Sequence, residues 1–514
     1  MSTPNLDAFI SWFKHNNGYI DTQHVGFHVF PSSEGGRGAV ALQDIPEGHT
    51  LFTIPRSLVV STRTSLLPEH FGQDEWKSRQ LDRGWSGLIL CMMWEAAQGN
   101  ASKWAPYLDT LPTEFDTPMF WAESDLNALK GTSVVDKLGK ADAEQDYVEK
   151  VLPTIQNRPD LFQPEFIPVH YSLHQYHVMG SRILSRSFNV EKWEDEVEDD
   201  ELAAQTNSMD VDDPAPLTSA NSDSPERAHG EEVAEGDEEE EEEEEDASDI
   251  SMVPVADLLN ARYEAENAKL FYEENELKMV ATKCIMKGEQ IWNTYGDLPN
   301  AELLRRYGHV DLLPLSTGGQ GNPGDIVEVR ADLVVAVVSK RCDHSSVVAD
   351  ERIEWWLEEG GDDIIVIEAD LEIPPALISL IKLLLFSSDE WRKVRGKGKP
   401  PKPKLDSATV DIIKDVLDQR LQQYPTSLQL DVILFDPVSY IAIDPDICVE
   451  QDDEIALSGD LSLNLRNATI VRLGEKRILH GALQAMQAVH FENPKRKRDA
   501  VMSSSKTNKK LRQQ

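Results

Sequence analysis

Glu289-Gln290-Ile291-Trp292-Asn293-Thr294-Tyr295-Gly296 reads as a short apolar strand closing on a polar turn. Asn300-Ala301-Glu302-Leu303-Leu304-Arg305-Arg306-Tyr307-Gly308 follows it as an amphipathic helix with Gly308 in the C-capping place. Upstream, Val253 to Leu259 is an apolar run that ends in Asp257-Leu258-Leu259-Asn260-Ala261. Between these segments, Lys269 to Ile285 alternates like a hairpin around Glu273–Glu276. One part of this region has an echo. Val280-Ala281, Ile285, Gly288 and Ile291-Trp292 repeat Val40-Ala41, Ile45, Gly48 and Leu51-Phe52 at a constant offset of 240. Each copy reads as strand, glycine turn, strand, and both are expected to form the same tight hairpin.

Working outward, Leu6, Phe9, Ile10 and Phe13 recur at helical spacing, so Asn5 to His15 is predicted to be an amphipathic opening helix. Gly26 to Val60 switches to short β-like runs, and Leu88, Ile89, Met92 and Met93 mark a buried helix in a helical region that follows. Tyr171 to Val190 also reads as helical. Beyond Asn300 the texture is helical, with helices expected at Ala376–Phe386, Ser407–Gln423 and Lys476–Glu492. Arg392 to Lys404 reads as a basic Pro/Gly-rich loop with seven Lys/Arg.

The chain of 514 residues carries 91 acidic against 50 basic side chains, a formal charge of −41. Residues 191–250 hold 27 acidic and 2 basic residues, so −25 sits in that insert and −16 in everything else. The insert includes ten consecutive acidic residues, Asp237 to Asp246, and has too little apolar content to offset its ordering entropy. Disorder is expected there, as a solvated loop or a contact for basic proteins. Such a balance argues against a phosphate-coating nucleic-acid binder. Four scattered cysteines without a CxxC suggest neither a zinc cluster nor a disulfide framework, and they read as buried thiols in a reducing compartment. No leader-like start and no apolar stretch long enough for a bilayer are seen, so a soluble intracellular protein is expected, with no membrane partner.

Common catalytic patterns are missing: there is no Walker loop, no GxSxG and no HExxH. His170, His174 and His177 could share a helix face but have no neighbouring carboxylate or thiol, so no metal site is expected. Glu34-Gly35-Gly36-Arg37-Gly38-Ala39 precedes a strand, and so lacks the helix N-terminus that a pyrophosphate would want.

Taken in order, these motifs resemble the SET-domain protein lysine methyltransferases, in the Rubisco-methyltransferase-like subgroup. They look closest to the fungal ribosomal lysine methyltransferases, over roughly residues 5 to 490 without the acidic insert. The resemblance implies an α+β chain: a mainly-β SET domain with an inserted helical region, and an all-α C-terminal substrate-binding domain. The implied boundaries are 1–21 for an N-terminal helix, 22–296 for the SET domain, 297–493 for the helical domain and 494–514 for a disordered basic tail. The SET domain would contain the helical insert (about 62–180) and the acidic insert (191–250).

It further implies S-adenosyl-L-methionine as cofactor. Gly35, Gly36 and Arg37 match the turn that contacts it, Arg186 the segment before the insert, and Asn260 the residue that binds its amino-acid end. Ala261 stands where most members carry His; that position acts through its backbone, and the fungal ribosomal subgroup also tends to have Ala. Tyr295 and Tyr307 match the two active-site tyrosines, with Tyr295 also against the cofactor. Trp121, Ser187 and Asp257 fall where the family meets its substrate. Without the flanking motifs, Tyr295 and Tyr307 would read as core aromatics. Trp121 reads equally as core, and Asp257 equally as the cap of a turn.

Methyl transfer suits these residue types. A lysine amine must be neutral to attack, and an apolar channel favours its neutral form. Tyrosine gives such a channel an apolar wall and a hydroxyl that orients the amine. The expected activity is monomethylation of a lysine on a basic client, a large-subunit ribosomal protein, by a monomer with no direct nucleic-acid contact. Two alternatives stay open: a histone or other nuclear protein as substrate, and a non-enzymatic acidic binder of basic proteins. The tail holds Lys495-Arg496-Lys497-Arg498 and, further on, Lys506, Lys509, Lys510 and Arg512, which resembles a bipartite import signal and points to the nucleus.

Overall fold

A computed structural model describes residues 4–30, 36–82, 84–191, 248–294, 296–315, 318–342, 346–435 and 461–489. Most of the acidic insert, all of the basic tail, Gly35 and Tyr295 lie outside the described residues. Two compact units are present. The first comprises residues 1–120, 138–298 and 302–311, and the second comprises 121–137, 299–301 and 312–514.

In the first unit the opening helix spans Pro4–His15 and buries Leu6, Phe9 and Phe13, as its spacing predicts. Among the described residues ten strands follow: β1 (Tyr19–Ile20), β2 (Val25–Val29), β3 (Arg37–Ala41), β4 (Thr50–Pro55), β5 (Ser187–Glu191), β6 (Ser248–Met252), β7 (Asn260–Ala261), β8 (Ala268–Tyr272), β9 (Glu276–Ala281) and β10 (Gln290–Asn293). One sheet has the order β1-β4-β9-β8 and another β2-β3-β10-β7, with β10 and β7 parallel. β5 and β6 form a separate antiparallel ribbon from Ser187↔Met252 to Glu191↔Ser248. The predicted hairpin around Glu273–Glu276 is β8–β9.

The echoed segments are not hairpins. β3 and β4 lie in different sheets, as do β9 and β10, and each copy pairs with its counterpart. β4 runs antiparallel to β9, and β10 to β3. Between the pairs, Ile45 and Ile285 bridge reciprocally, both N–H···O=C bonds being close to 2.9 Å. The Gly48 N–H donates to Ala281 O and the Gly288 N–H to Ala41 O, both at 2.8 Å. Gly48 (φ 80°) and Gly288 (φ 89°) occupy the left-handed region that admits glycine freely. Twofold-related packing, rather than two local turns, is what the 240-residue offset encodes.

A helix at Ser86–Ala97 is buried almost all round, so it forms the centre of the helical region rather than an amphipathic surface. Cys91 is buried within it, whereas Cys284 is exposed beside the Ile285 bridge, contrary to the expectation of buried thiols.

The second unit is mainly helical, as expected, with two additions among the described residues: a short antiparallel pair, Leu313–Pro314 with Gln320–Gly321, and a longer one, Ile326–Arg330 with Ile364–Glu368. Val327, Val329, Ile365 and Ile367 from this pair enter the unit's apolar core. Helices at Pro375–Leu385 and Ser407–Leu421 fall where expected. The start of the predicted basic loop is instead a helix, Ser388–Arg395, entered through a capping box between Ser387 and Glu390. The last described helix, Leu463–Ala488, starts well before the expected Lys476. Its Arg472, Glu475 and Lys476 are buried, Arg472 and Lys476 gripping the fully buried Asp431 at 2.7 and 2.5 Å. Among the described residues no helix is long and apolar enough to cross a membrane.

Candidate functional site

Most of the predicted site residues fall in the first unit. The helix Leu173–Arg186 ends on Arg186, and Ser187 opens β5 directly after it. The Arg186 guanidinium Nη1 donates 2.7 Å to the backbone carbonyl of Asp257. Asp257 sits in the 3₁₀ turn Ala256–Leu258, held by a strained residue: Val255, fully buried and β-branched, has φ 75°. Such a conformation costs on the order of 1–3 kcal/mol and persists where the surroundings enforce it.

The Asp257 carboxylate is buried. Tyr107, also buried, donates its hydroxyl to Oδ2 at 3.0 Å. Burial pushes the Asp257 carboxyl above its usual range, against the opposing effects of Arg186, Tyr107 and Arg37. Burial first, and then the Arg186 charge, pull the Arg37 guanidinium down. Arg182, on the same helix as Arg186, is brought down to about 10 by burial. Arg37, half-buried and with its Nη2 donating 2.8 Å to Thr110 O, is with Arg186 one of two guanidinium groups whose charge acts on the Asp257 carboxylate.

Two polar atoms of this cluster have no partner: Arg186 Nε and Asp257 Oδ1, both buried. The open donor on Arg186 suits an anionic group and the open acceptor on Asp257 a cationic one. Beside them β3, β10 and β7 carry a second feature. Asn260 Nδ2 donates 2.7 Å to Gln290 Oε1, and a Cβ at Gly38 would come within 2.4 Å of Gln290 Oε1 and 2.6 Å of Asn260 Nδ2. Only glycine leaves room for these amides. Gly36 precedes it with φ 69°. The open donor and acceptor and the space at Gly38 fit S-adenosyl-L-methionine, the cofactor expected from the sequence.

Ala261 borders a small cleft with Arg262, Tyr263, Gly296, Leu303 and Asp311. Tyr307 is half-buried at the end of its helix, its ring 6.0 Å from that of His309. Gly308 has φ 76°, and a Cβ there would meet the Asp116 backbone at 2.9 Å. Trp121 is buried and belongs to the second unit. Gly35 and Tyr295 lie outside the described residues.

Sequence reasoning missed Tyr107 and Arg182. Their partners lie far along the chain, Asp257 for Tyr107 and the Pro112 carbonyl for Arg182, and nothing local distinguishes them from core residues.

Comparison with known proteins adds to this geometry. Residues 36–296 match the SET domain and residues 344–479 match "Rubisco LSMT substrate-binding". "Ribosomal lysine N-methyltransferase 4" of Saccharomyces cerevisiae is 29% identical over 74% of this chain and 71% of its own length. "N-lysine methyltransferase SETD6" of Homo sapiens is 27% identical over 87% of this chain and 84% of its own length. The solved SET domain of LSMT bound to lysine and AdoHcy superposes with a TM-score of 0.62 at 16% identity, covering 95% of this chain and 92% of that one.

Proposed function

Given that the chain belongs to the SET-domain family and is an S-adenosylmethionine-dependent protein-lysine N-methyltransferase, we propose that it monomethylates a lysine of a large-subunit ribosomal protein. The observation that carries the enzymatic part is the unpartnered buried pair, Arg186 Nε and Asp257 Oδ1, beside the Gly38–Asn260–Gln290 cradle. The ribosomal part draws on the yeast relative's name and on the charge of −41, which attracts a strongly basic client at long range and is screened by salt.

In this reading Arg186 and Asn260 hold the cofactor's amino-acid end, and the backbone of Gly35, Gly36, Arg37 and Ala261 holds the rest. When bound, the cofactor supplies an electrophilic methyl group. Tyr295 and Tyr307 wall an apolar channel that keeps the incoming lysine amine neutral and aimed. Asp257, Ser187 and Trp121 contact the substrate protein. Residues 22–296 form the SET domain and 297–493 the helical substrate-binding domain, following an N-terminal helix (1–21) and preceding a basic tail (494–514). The enzyme acts as a monomer, without nucleic-acid contacts of its own, and the basic clusters of the tail carry it into the nucleus.

A second reading has a histone or other nuclear protein as substrate; SETD6, whose name specifies no ribosomal client, matches 87% of this chain against 74% for the yeast relative. Tritiated S-adenosylmethionine added with the enzyme to fractionated cell extract distinguishes the two. Label in a large-subunit ribosomal protein is the expected result, and label confined to histones or other nuclear proteins overturns the ribosomal assignment. A fluorescent fusion truncated after Asn493 is expected to become cytoplasmic; one that stays nuclear refutes the role of the tail.

A further inference from the structure

Three side chains of the first unit converge on one point. Asp21 follows β1, His24 precedes β2, and His49 lies just before β4. His24 Nδ1 and His49 Nε2 each lie 2.8 Å from the same oxygen, Asp21 Oδ2. The other oxygen, Oδ1, accepts the Gln23 N–H at 3.1 Å, which fixes the carboxylate's rotation and leaves Oδ2 as a single aimed donor atom. The two imidazole rings are tilted by 55° with centroids 4.8 Å apart, so they are not stacked face to face. The three donor atoms all lie within 4.8 Å of one another.

The scaffold beneath them is rigid. Asp21 N–H donates to Leu51 O at 3.0 Å, Val25 N–H to Asp21 O at 2.8 Å, and Leu42 N–H to His24 O at 2.8 Å. Ala281 N–H donates to His49 O at 2.9 Å, tying that residue to β9. The side chains keep 12% (Asp21), 25% (His24) and 27% (His49) of their surface, enough for an ion to enter and keep a water ligand.

We propose that Asp21, His24 and His49 form a binding site for a borderline divalent transition-metal ion, Zn²⁺ above all, that clasps the β1–β2 turn to the segment entering β4. Two imidazoles and one carboxylate are the donor set of tetrahedral zinc with one open position. Zinc bonds of about 2.0–2.2 Å set neighbouring donors roughly 3.3–3.5 Å apart in a tetrahedron. The present 2.8 Å separations would have to open by about 0.5–0.7 Å to admit the ion. The competing account is a metal-free trio in which both histidines simply donate to Asp21.

Cobalt titration of the untagged full chain, stripped with a chelator, separates the two. The expected result is visible d–d absorption of tetrahedral Co²⁺, saturating at one equivalent and displaced by Zn²⁺. His24→Ala and His49→Ala should each weaken binding by more than the roughly 10–100-fold that loss of an outer-shell partner costs. Asp21→Asn, which still accepts from the imidazoles, should do the same, whereas His15→Ala should change nothing. No tetrahedral Co²⁺ signal, or a signal that survives His49→Ala and Asp21→Asn, overturns the proposal. A far-ultraviolet dichroism spectrum of each variant reports whether it folds, and in Asp21→Asn both partners of the metal-free trio stay in place.

Discussion

Tyr107 donates its hydroxyl to Asp257 Oδ2 at 3.0 Å across 150 residues of sequence, and it gives this carboxylate a side-chain partner while Oδ1 has none. Burial first, and then the Asp257 charge, push the Tyr107 phenol well above its usual range, so the proton stays on tyrosine and the bond has one direction. Tyr107→Phe should cost about 1–3 kcal/mol of stability, because it strands a buried acceptor. In the Asp257→Asn background the same change should cost clearly less. Urea denaturation of the two single variants and the double variant measures the coupling. Equal losses in both backgrounds would mean that the bond contributes nothing.

Two buried carboxyls of the second unit set a pH dependence. Burial is the main cause that raises Asp325 and Glu475 to about 7 from 3.8 and 4.5. A carboxyl raised on folding holds its proton more tightly in the folded chain. Its stabilising contribution is therefore full below about pH 4 and is lost as the pH climbs through about 7. The slope in that window approaches about 1.4 kcal/mol per pH unit for each group. Asp325→Asn and Glu475→Gln should each flatten the dependence relative to the parent chain. Denaturation midpoints measured from pH 4 to 8 for parent and variants, compared as differences, check this; parallel curves would refute it.

The roles proposed for the site divide under mutation. Tyr295→Phe is expected to lower turnover by at least ~10²-fold with a smaller loss of cofactor affinity. Asn260→Ala should act in the opposite order, with cofactor binding falling first. Calorimetric titration of S-adenosylmethionine beside single-turnover assays separates them. Full turnover in Tyr295→Phe removes that residue from the active site.

Deletion of residues 205–246 should leave the melting temperature nearly unchanged. The β5–β6 ribbon already holds the two ends of the insert together at Glu191↔Ser248. Shortening a closed loop changes its closure entropy only logarithmically, by about 0.6 kcal/mol for each halving. A large drop in melting temperature by calorimetry would contradict this.

Much of this was legible in the sequence where periodicity is local. The opening helix, the β8–β9 hairpin and the helices at Pro375–Leu385 and Ser407–Leu421 carry their own apolar pattern. The helix Leu463–Ala488 did not, since Arg472, Glu475 and Lys476 occupy its buried positions and break that pattern. Their burial is compensated by Asp431, Arg420 and Tyr424, partners that no local window contains. The same reason hid Tyr107 behind the Asp257 motif, and it hid His49 from Asp21 and His24. The Gly48 and Gly288 repeat was visible, but its meaning was not: a turn signal says nothing about which strand will lie beside it.

The reciprocal Ile45–Ile285 bridge bears on how the chain is made. β3 and β4 emerge from the ribosome long before β9 and β10, and until those later strands arrive each lacks one of its two sheet neighbours. Pairing across such a distance is slow to nucleate and leaves unpaired edges that invite chaperone engagement. Once formed, however, the two halves grip each other through backbone pairs in both sheets, not through the peptide that joins them. A nick within the acidic insert should therefore leave a two-piece protein that stays associated, and the separate pieces, expressed together, should find each other.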